Sequence, residues 1–223
     1  MNKVKNKSFA RTFMFGGLLL LAAIAGFLYE KHRVVARQTL IRSKFHGTLL
    51  DKPREVQPFT LTGIDGAPFN QKSLNSHWTM MFFGFTRCGF ICPTTMSELS
   101  KMYRALEGEH ASPMPRIVMV SIDPARDDLQ HLKQYVKAFH PDFYGARGSE
   151  EMTRAMTKAL GIAYAKVAKD PNAPAREDDI EHTGAIMLFN PDGQLAAFFT
   201  TPHQAKILVE DYHLMAHITQ AGS

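Results

Sequence analysis

The chain has 223 residues and a formal net charge of +5, a length that suits one well-buried domain once a distinctive N-terminal segment is set aside. The charge is uneven, because residues 1–44 carry nine Lys or Arg side chains against one acid, whereas residues 45–223 carry 17 against 20. The domain is therefore slightly acidic, which argues against a nucleic-acid partner.

The N-terminal segment is predicted to be a membrane anchor. Residues 12–29 carry no charge, and as a helix they would span about 27 Å, close to the thickness of a bilayer's hydrocarbon core. The basic residues 1–11 place that end in the cytoplasm, so the domain is expected in the periplasm or another extracytoplasmic space, behind a single-pass inner-membrane anchor. Cleavage of the segment as a signal peptide is the alternative, and it exports the domain as well. Residues 30–45 are predicted to form a polar, partly helical tether, and residues 46–223 the folded domain.

The rest of the chain alternates predicted strands and helices. Short apolar runs indicate buried strands, and apolar residues at helical spacing indicate helices that pack on them. Ser149 is the predicted N-cap of one helix and Gly161 its end. The order predicts an α/β domain with a thioredoxin-like fold, in which helices flank a central mixed sheet. Strands are predicted over residues 79–85, 116–122, 143–146, 186–190 and 195–200, and helices over residues 94–106, 127–139, 149–160 and 203–217.

The chain has only two cysteines, Cys88 and Cys92, which lie between a predicted strand and a predicted helix. Two cysteines so close together exclude a disulfide-stapled scaffold and favour a paired chemical role. Because Cys92 begins a helix that has Pro93 in its first turn, we expect the helix dipole to lower the thiol pKa, with Arg87 adding a positive charge. Two thiolates separated by three residues can bind one metal ion or close a small disulfide, so a metal site and a redox-active pair both stay open.

A third metal ligand is expected, because two thiolates rarely complete a site. Of the ten histidines, His182 is the candidate, since it precedes the 186–190 strand, which in a thioredoxin-like fold lies beside the cysteine-bearing strand. A strand-capping role is the alternative. Two thiolates and one imidazole suit Cu(I), whereas structural zinc takes four ligands. The other histidines are interpreted as surface residues or as residues without a partner motif, and Met80, Met81, Met96 and Met187 as core residues rather than thioether ligands.

Four segments occur in a recognisable order. They are FGFTRCGFICP at residues 83–93, VSIDPARD at residues 120–127, His182-Thr183, and NPDG at residues 190–193. In this combination the chain resembles the SCO/SenC family of copper-delivery proteins for cytochrome c oxidase. The element with two cysteines and a downstream histidine is specific, whereas the NPDG turn alone is weak.

The resemblance implies a thioredoxin-like fold and binding of Cu(I) or Cu(II) by Cys88, Cys92 and His182. It also implies copper delivery to, or thiol reduction at, the binuclear copper site of the oxidase. The copper-accepting subunit of cytochrome c oxidase is then the expected partner, with other copper chaperones as further candidates. Family members commonly carry Pro and Asp between the cysteines, where this chain has Gly89 and Phe90. That departure affects the predicted identity of the transfer partner more than the predicted identity of the metal.

Two functions are therefore weighed. The first is a metallochaperone that delivers copper and catalyses no reaction. The second is a membrane-anchored thiol-disulfide oxidoreductase, which would be an enzyme using the same cysteine pair, although the usual two-residue spacing is absent. A peroxiredoxin-like peroxidase is a remote third, suggested only by residues 86–88. Asp123 and Arg126 are interpreted as turn and cap residues, and Asp178 and Asp179 as solvated loop acids.

Overall fold

The computed structural model describes the backbone of residues 3–166 and 180–220. The chain divides into two compact units, Met1–Lys44 and Phe45–Ser223. The first unit is one helix, α1 (Lys3–Lys44), so the residues predicted as a partly helical tether continue this helix as far as Lys44. Among the residues described, no helix combines the length and the apolar character needed to cross a membrane, and the predicted anchor at residues 12–29 is therefore not supported by the structure.

The second unit contains ten strands and four α-helices within its described residues. A short 3-10 helix, Gln71–Leu74, connects two of the strands. The strands are β1 (Thr48–Arg54), β2 (Thr60–Gly63), β3 (Pro68–Asn70), β4 (Thr79–Gly84), β5 (Arg116–Ser121), β6 (Tyr144–Arg147), β7 (Tyr164–Lys166), β8 (Ile180–His182), β9 (Ile186–Phe189) and β10 (Leu195–Phe199). The helices are α2 (Ile91–Gly108), α3 (Leu129–Phe139), α4 (Glu150–Leu160) and α5 (Ala205–Gln220).

Eight of these strands form one mixed sheet in the order β1-β10-β9-β4-β5-β6-β2-β3. Strand β4 runs parallel to β5, and β5 runs parallel to β6, whereas β9 lies antiparallel on the other side of β4. Strands β7 and β8 pair with each other in a separate two-stranded sheet. The predicted mixed sheet with flanking helices is confirmed, including the placement of the 186–190 strand beside the cysteine-bearing strand.

The centre of the sheet is apolar on both faces. All six residues of β4 and all four of β9 are buried, which explains why both strands appear in the sequence as continuous apolar runs rather than as alternating patterns. The four methionines interpreted as core residues lie in this core, namely Met80, Met81, Met96 and Met187.

The helix boundaries follow local capping chemistry. Ser149 accepts a hydrogen bond from the Met152 N–H at 3.1 Å, and Gly161 ends α4 in the left-handed region at φ 74°, so both predicted caps are confirmed. Helix α3 begins two residues later than predicted, because the Asp128 side chain accepts the His131 N–H as an N-cap. Helix α2 begins at Ile91, three residues earlier than predicted, so Cys92 and Pro93 lie in its first turn.

Five strands were not predicted, and their sequences explain why. Strand β1 lies at an edge of the sheet, is mostly exposed and contains Pro53, so it has neither an apolar run nor a regular alternation. Strands β2, β3, β7 and β8 have only three or four residues each, too few for a period of two to stand out.

Candidate metal centre

The two cysteines lie where the central strand passes into a helix. Strand β4 ends at Gly84, and Phe85 leads into residues Thr86–Phe90, here called the cysteine loop. A turn opens this loop, in which the Cys88 N–H donates to the Phe85 carbonyl at 3.3 Å. Cys88 therefore lies in the loop, while Cys92 lies in the first turn of α2.

The structure brings the two sulfur-bearing residues together. The Cys92 N–H donates to Cys88 Sγ at 3.4 Å, and both residues are thiols rather than a disulfide. Cys92 is fully buried, whereas Cys88 is half-buried. The absence of a side chain at Gly84 makes this packing feasible, because a Cβ there would lie 2.8 Å from Cys92 Sγ. The pair thus combines one fully buried cysteine with one that is partly exposed and packs against the core.

Burial raises the pKa of the Cys92 thiol well above its ordinary value, and the hydrogen bond and charge of Cys88 raise it further. The expectation that the helix dipole lowers this pKa is therefore wrong for the metal-free protein. The dipole acts in the expected direction, but the loss of water around a buried sulfur outweighs it. A metal that binds Cys92 must displace the thiol proton.

A buried carboxylate holds the cysteine loop from below. Asp127 is 1% exposed and accepts hydrogen bonds from the Thr86 N–H at 3.2 Å, from Thr86 Oγ1 at 2.5 Å and from Ser121 Oγ at 2.6 Å. It thereby joins the loop to the segment that follows β5. Asp127 was not predicted as a site residue, although it ends the VSIDPARD segment. Asp123 and Arg126, interpreted as structural, form an ion pair in the same turn.

Tyr135 is a second residue near the thiols that was not predicted from the sequence. Its hydroxyl is buried and has no hydrogen-bond partner among the described atoms. Burial raises the pKa of this hydroxyl, and the charges of Cys92 and Cys88 raise it further, which indicates that the phenol lies near the thiols. The sequence gives no signal that Tyr135 lies near the thiols, because a tyrosine on the inner face of an amphipathic helix is an ordinary core residue.

The side chain of His182 lies outside the described part of the structure, as do Asp178 and Asp179. The backbone of His182 ends strand β8 and pairs with Tyr164. Two residues later, Gly184 packs so closely on the helix start that a Cβ there would lie 2.8 Å from Ile91 Cγ2. Because two residues span at most about 7 Å, the His182 backbone lies near the turn that contains Cys92.

Six of the other histidines have side-chain partners in the structure, namely His46, His77, His131, His140, His203 and His213. His140 was interpreted as a surface residue and is instead buried against the Tyr103 ring, so that interpretation is wrong. Together with Glu107 and Asp142 it forms a cluster of potential metal ligands. However, His140 Nδ1 accepts the Asp142 N–H, so Nε2 carries the proton that it donates to Glu107. With no imidazole lone pair directed at the carboxylates, the cluster is a hydrogen-bonded unit rather than a metal site.

The model of the SCO1/SenC family matches residues 48–217, more than half of the chain. The chain belongs to the SCO1/SenC family. It is 34% identical to a protein of Stutzerimonas stutzeri that is named as copper-binding, over 69% of this chain and 73% of that protein. It is 32% identical to the mitochondrial SCO2 homologue of Mus musculus, over 68% of this chain and 58% of that protein. This chain thus spans less than two thirds of the length of the mouse relative.

Solved SCO structures share the fold. The crystal structure of Arabidopsis thaliana ScoI with copper bound aligns with a TM-score of 0.64 at 29% identity, covering 74% of this chain and 98% of that one. The solution structures of apo Sco1 from Thermus thermophilus align with a TM-score of 0.63 at 32% identity, covering 77% and 96%. The predicted family is therefore confirmed, and copper is the metal bound in a solved relative.

Proposed function

We propose that this protein is a copper metallochaperone that holds copper through Cys88, Cys92 and His182 and delivers it to the binuclear copper site of cytochrome c oxidase. The observation that carries the proposal is the pair of thiols at the start of α2, where the Cys92 N–H donates to Cys88 Sγ at 3.4 Å. The side chains of Cys92 and Cys88 also lie within hydrogen-bond reach of each other, and two neighbouring sulfurs suit a soft ion such as Cu(I). Membership of the SCO1/SenC family, with relatives named as copper-binding or solved with copper, supports the choice of metal.

The burial of the two sulfurs fits a carrier better than a permanent site. Cys92 is fully enclosed by the core and can anchor the metal, whereas Cys88 is half-buried and leaves the metal accessible from outside. An incoming ligand from an acceptor can then displace the outer ligands before the inner one. The assignment of His182 as third ligand rests on the sequence motif and on the contact between Gly184 and Ile91.

The decisive experiment measures copper stoichiometry and affinity. The reduced full-length protein is titrated with Cu(I) against a competing chelator, alongside His182→Ala and the matched control His131→Ala, which removes an exposed histidine on α3. We expect one copper per chain. The affinity should fall by at least about 100-fold in His182→Ala, because losing even an outer partner of a ligand costs about 10- to 100-fold. Equal affinities for the parent and His182→Ala would remove His182 from the site.

A thiol-disulfide oxidoreductase is the second candidate, and the proximity of the two thiols favours it as well. The same protein samples separate the two functions. Weak copper binding together with a reversible disulfide between Cys88 and Cys92 would favour the redox role. Full reductase activity in His182→Ala would favour it further, because a dithiol exchange needs no imidazole at that position.

We further propose that the folded domain works on the outer side of the inner membrane. The support comes from the sequence, in which the uncharged residues 12–29 follow the basic residues 1–11. A reporter phosphatase fused after residue 223 should be active only if the domain is exported. An inactive reporter on a stably expressed fusion would contradict export.

A further inference from the structure

Phe90 stands out in the folded unit by its exposure. Its side chain is 77% exposed, and no other large apolar side chain among the described residues of 45–220 is classed as exposed. A single exposed apolar residue is ordinary on a protein surface. The position of this one is not ordinary, because it lies in the cysteine loop between the two thiols.

Folding does not explain a phenylalanine at this position. Phe90 is the N-cap residue of α2, where Ser, Thr, Asp and Asn are preferred because their side chains accept a backbone N–H, and Phe90 makes no such bond. Its carbonyl accepts hydrogen bonds from the Thr94 N–H and Thr94 Oγ1 at 3.2 and 2.8 Å, which any residue could do. The side chain therefore neither caps the helix nor fills the core.

The surroundings of Phe90 form a small surface beside the thiols, which we call the exit face. Cys88 is the outer sulfur, and the exposed residues next to it in the loop are Arg87, Gly89 and Phe90. Ile91 continues this surface through its contact with Gly184. Within the loop the only charge is the positive charge of Arg87, so the exit face is an aromatic side chain beside a cation.

The location of the exit face determines what covers it. Because Cys92 is buried, a protein that takes copper from this site must bring its own ligands to the side of Cys88, and its surface then covers Phe90. In that transfer Cu(I) leaves the two sulfurs and binds the acceptor's thiols. The protons released by those thiols return through water to the freed cysteines, and no electron moves. Aromatic residues that are buried on binding are the commonest anchors of protein interfaces.

We propose that Phe90 is the docking residue through which the copper-bearing loop binds its acceptor, entering an apolar recess whose carboxylates pair with Arg87. The inference rests on the proposed function and names the surface of the acceptor that it requires. It concerns recognition of the partner, so the copper ligands themselves are unaffected by it.

The test compares two acceptors for the same copper. Full-length protein loaded with Cu(I) is mixed either with a small chelator, which needs no docking, or with the apo binuclear-copper domain of cytochrome c oxidase. For Phe90→Ala we expect copper affinity within about twofold of the parent and an equal rate of release to the chelator. Transfer to the domain should slow by about tenfold at sub-saturating acceptor concentration, as for the loss of an interface anchor. Phe90→Leu, which keeps an apolar side chain, should recover most of the rate.

The outcomes are distinguishable. Equal transfer to the protein acceptor by the parent and Phe90→Ala would overturn the docking role and leave the proposed function intact. Equal slowing toward both acceptors would overturn it as well, because the substitution would then hinder the release of copper itself rather than the binding of a partner. Absence of copper binding by the parent would instead remove the proposed function, and a copper-loaded parent that does not transfer to the oxidase domain would overturn the acceptor named in both proposals.

Discussion

The cysteine loop and the first residues of the domain are each fastened by one buried aspartate, but the groups bound by the two carboxylates differ. Asp127 accepts a backbone N–H and two hydroxyls, all of them uncharged. Asp211, on α5, accepts the backbone N–H groups of His46 and Gly47 and also His46 Nδ1 at 2.9 Å. Among these hydrogen-bonding groups, the only titratable one is the His46 imidazole on the second carboxylate.

This difference separates the functional loop from the structural attachment. The loop that holds the thiols is fixed by hydrogen bonds whose strength does not change with the protonation of a histidine. The leading segment, here the residues His46 and Gly47, is fixed partly by an imidazole that gains or loses charge near neutral pH. A buried carboxylate that accepts several hydrogen bonds is thus used twice. At one site it positions the metal-binding loop, and at the other it attaches the residues that precede the edge strand β1.

The largest expected effects come from removing either carboxylate. Asp127→Ala and Asp211→Ala should each lower the free energy of unfolding by about 3 kcal/mol, because each leaves buried donors without an acceptor. Only Asp127→Ala should also lower copper affinity, by about tenfold or more, since it frees Thr86 and with it the cysteine loop. Urea unfolding and chelator competition on the same samples measure both quantities.

The comparison depends on that second readout. If Asp211→Ala weakens copper binding as much as Asp127→Ala does, the two aspartates differ only in location. That result would contradict the assignment of Asp127 to the metal-binding loop and of Asp211 to a purely structural attachment. Asp127→Asn and Asp211→Asn, which keep one acceptor oxygen, should give smaller losses in the same order.

A smaller effect is expected from the glycine under the buried thiol. A Cβ at Gly84 would lie 2.6 Å from Phe82 Cε1 and 2.8 Å from Cys92 Sγ, so Gly84→Ala should cost about 1–3 kcal/mol of stability and displace the sulfur. Gly145→Ala is the matched control. Gly145 lies in β6, which is separated from β4 by β5 in the same sheet, and a Cβ there would be 2.9 Å from the side chains of Ile64 and Leu132. Both variants should lose stability in urea, and only Gly84→Ala should lose copper affinity.

An unchanged copper affinity in Gly84→Ala would mean that the loop absorbs the displacement, contrary to the rigid placement inferred from Asp127. A loss of affinity in Gly145→Ala of the same size would show that the copper site responds to general loosening of the sheet rather than to the position of one sulfur.

The sequence predicted the strand, the cysteine loop and the helix of this site, because a continuous apolar run and a helical period are local signals. The two caps of α4 were predictable for the same reason, as Ser149 and Gly161 act within a few residues of themselves. The copper-binding family was predictable because its motif combines residue types with fixed spacing.

What escaped prediction depends on contacts between distant parts of the chain. The hydrogen bond from Thr86 to Asp127 joins residues 41 positions apart, and the clamp of His46 on Asp211 joins residues 165 positions apart. The pKa of Cys92 was predicted in the wrong direction because the position of a residue on a helix is visible in the sequence, whereas its burial beneath neighbouring elements is not.

The smallest expected effect is a pH dependence that belongs to the leading segment. The hydrogen bond and charge of Asp211 raise the pKa of His46 above its ordinary value of 6.5, with a smaller contribution from Glu210. Protonated His46 therefore stabilises the folded state fully below about pH 6.5, and this contribution is lost as the pH rises through the higher folded-state pKa. The midpoint of urea unfolding should fall over that window in the parent protein and fall less in His46→Gln, which keeps both backbone donors to Asp211.

Copper affinity measured in the two proteins at one pH should be equal, since the leading segment does not hold the cysteine loop. Identical pH profiles of unfolding in the two proteins would assign the pH dependence to groups other than His46 and would remove the titratable difference between the two buried aspartates.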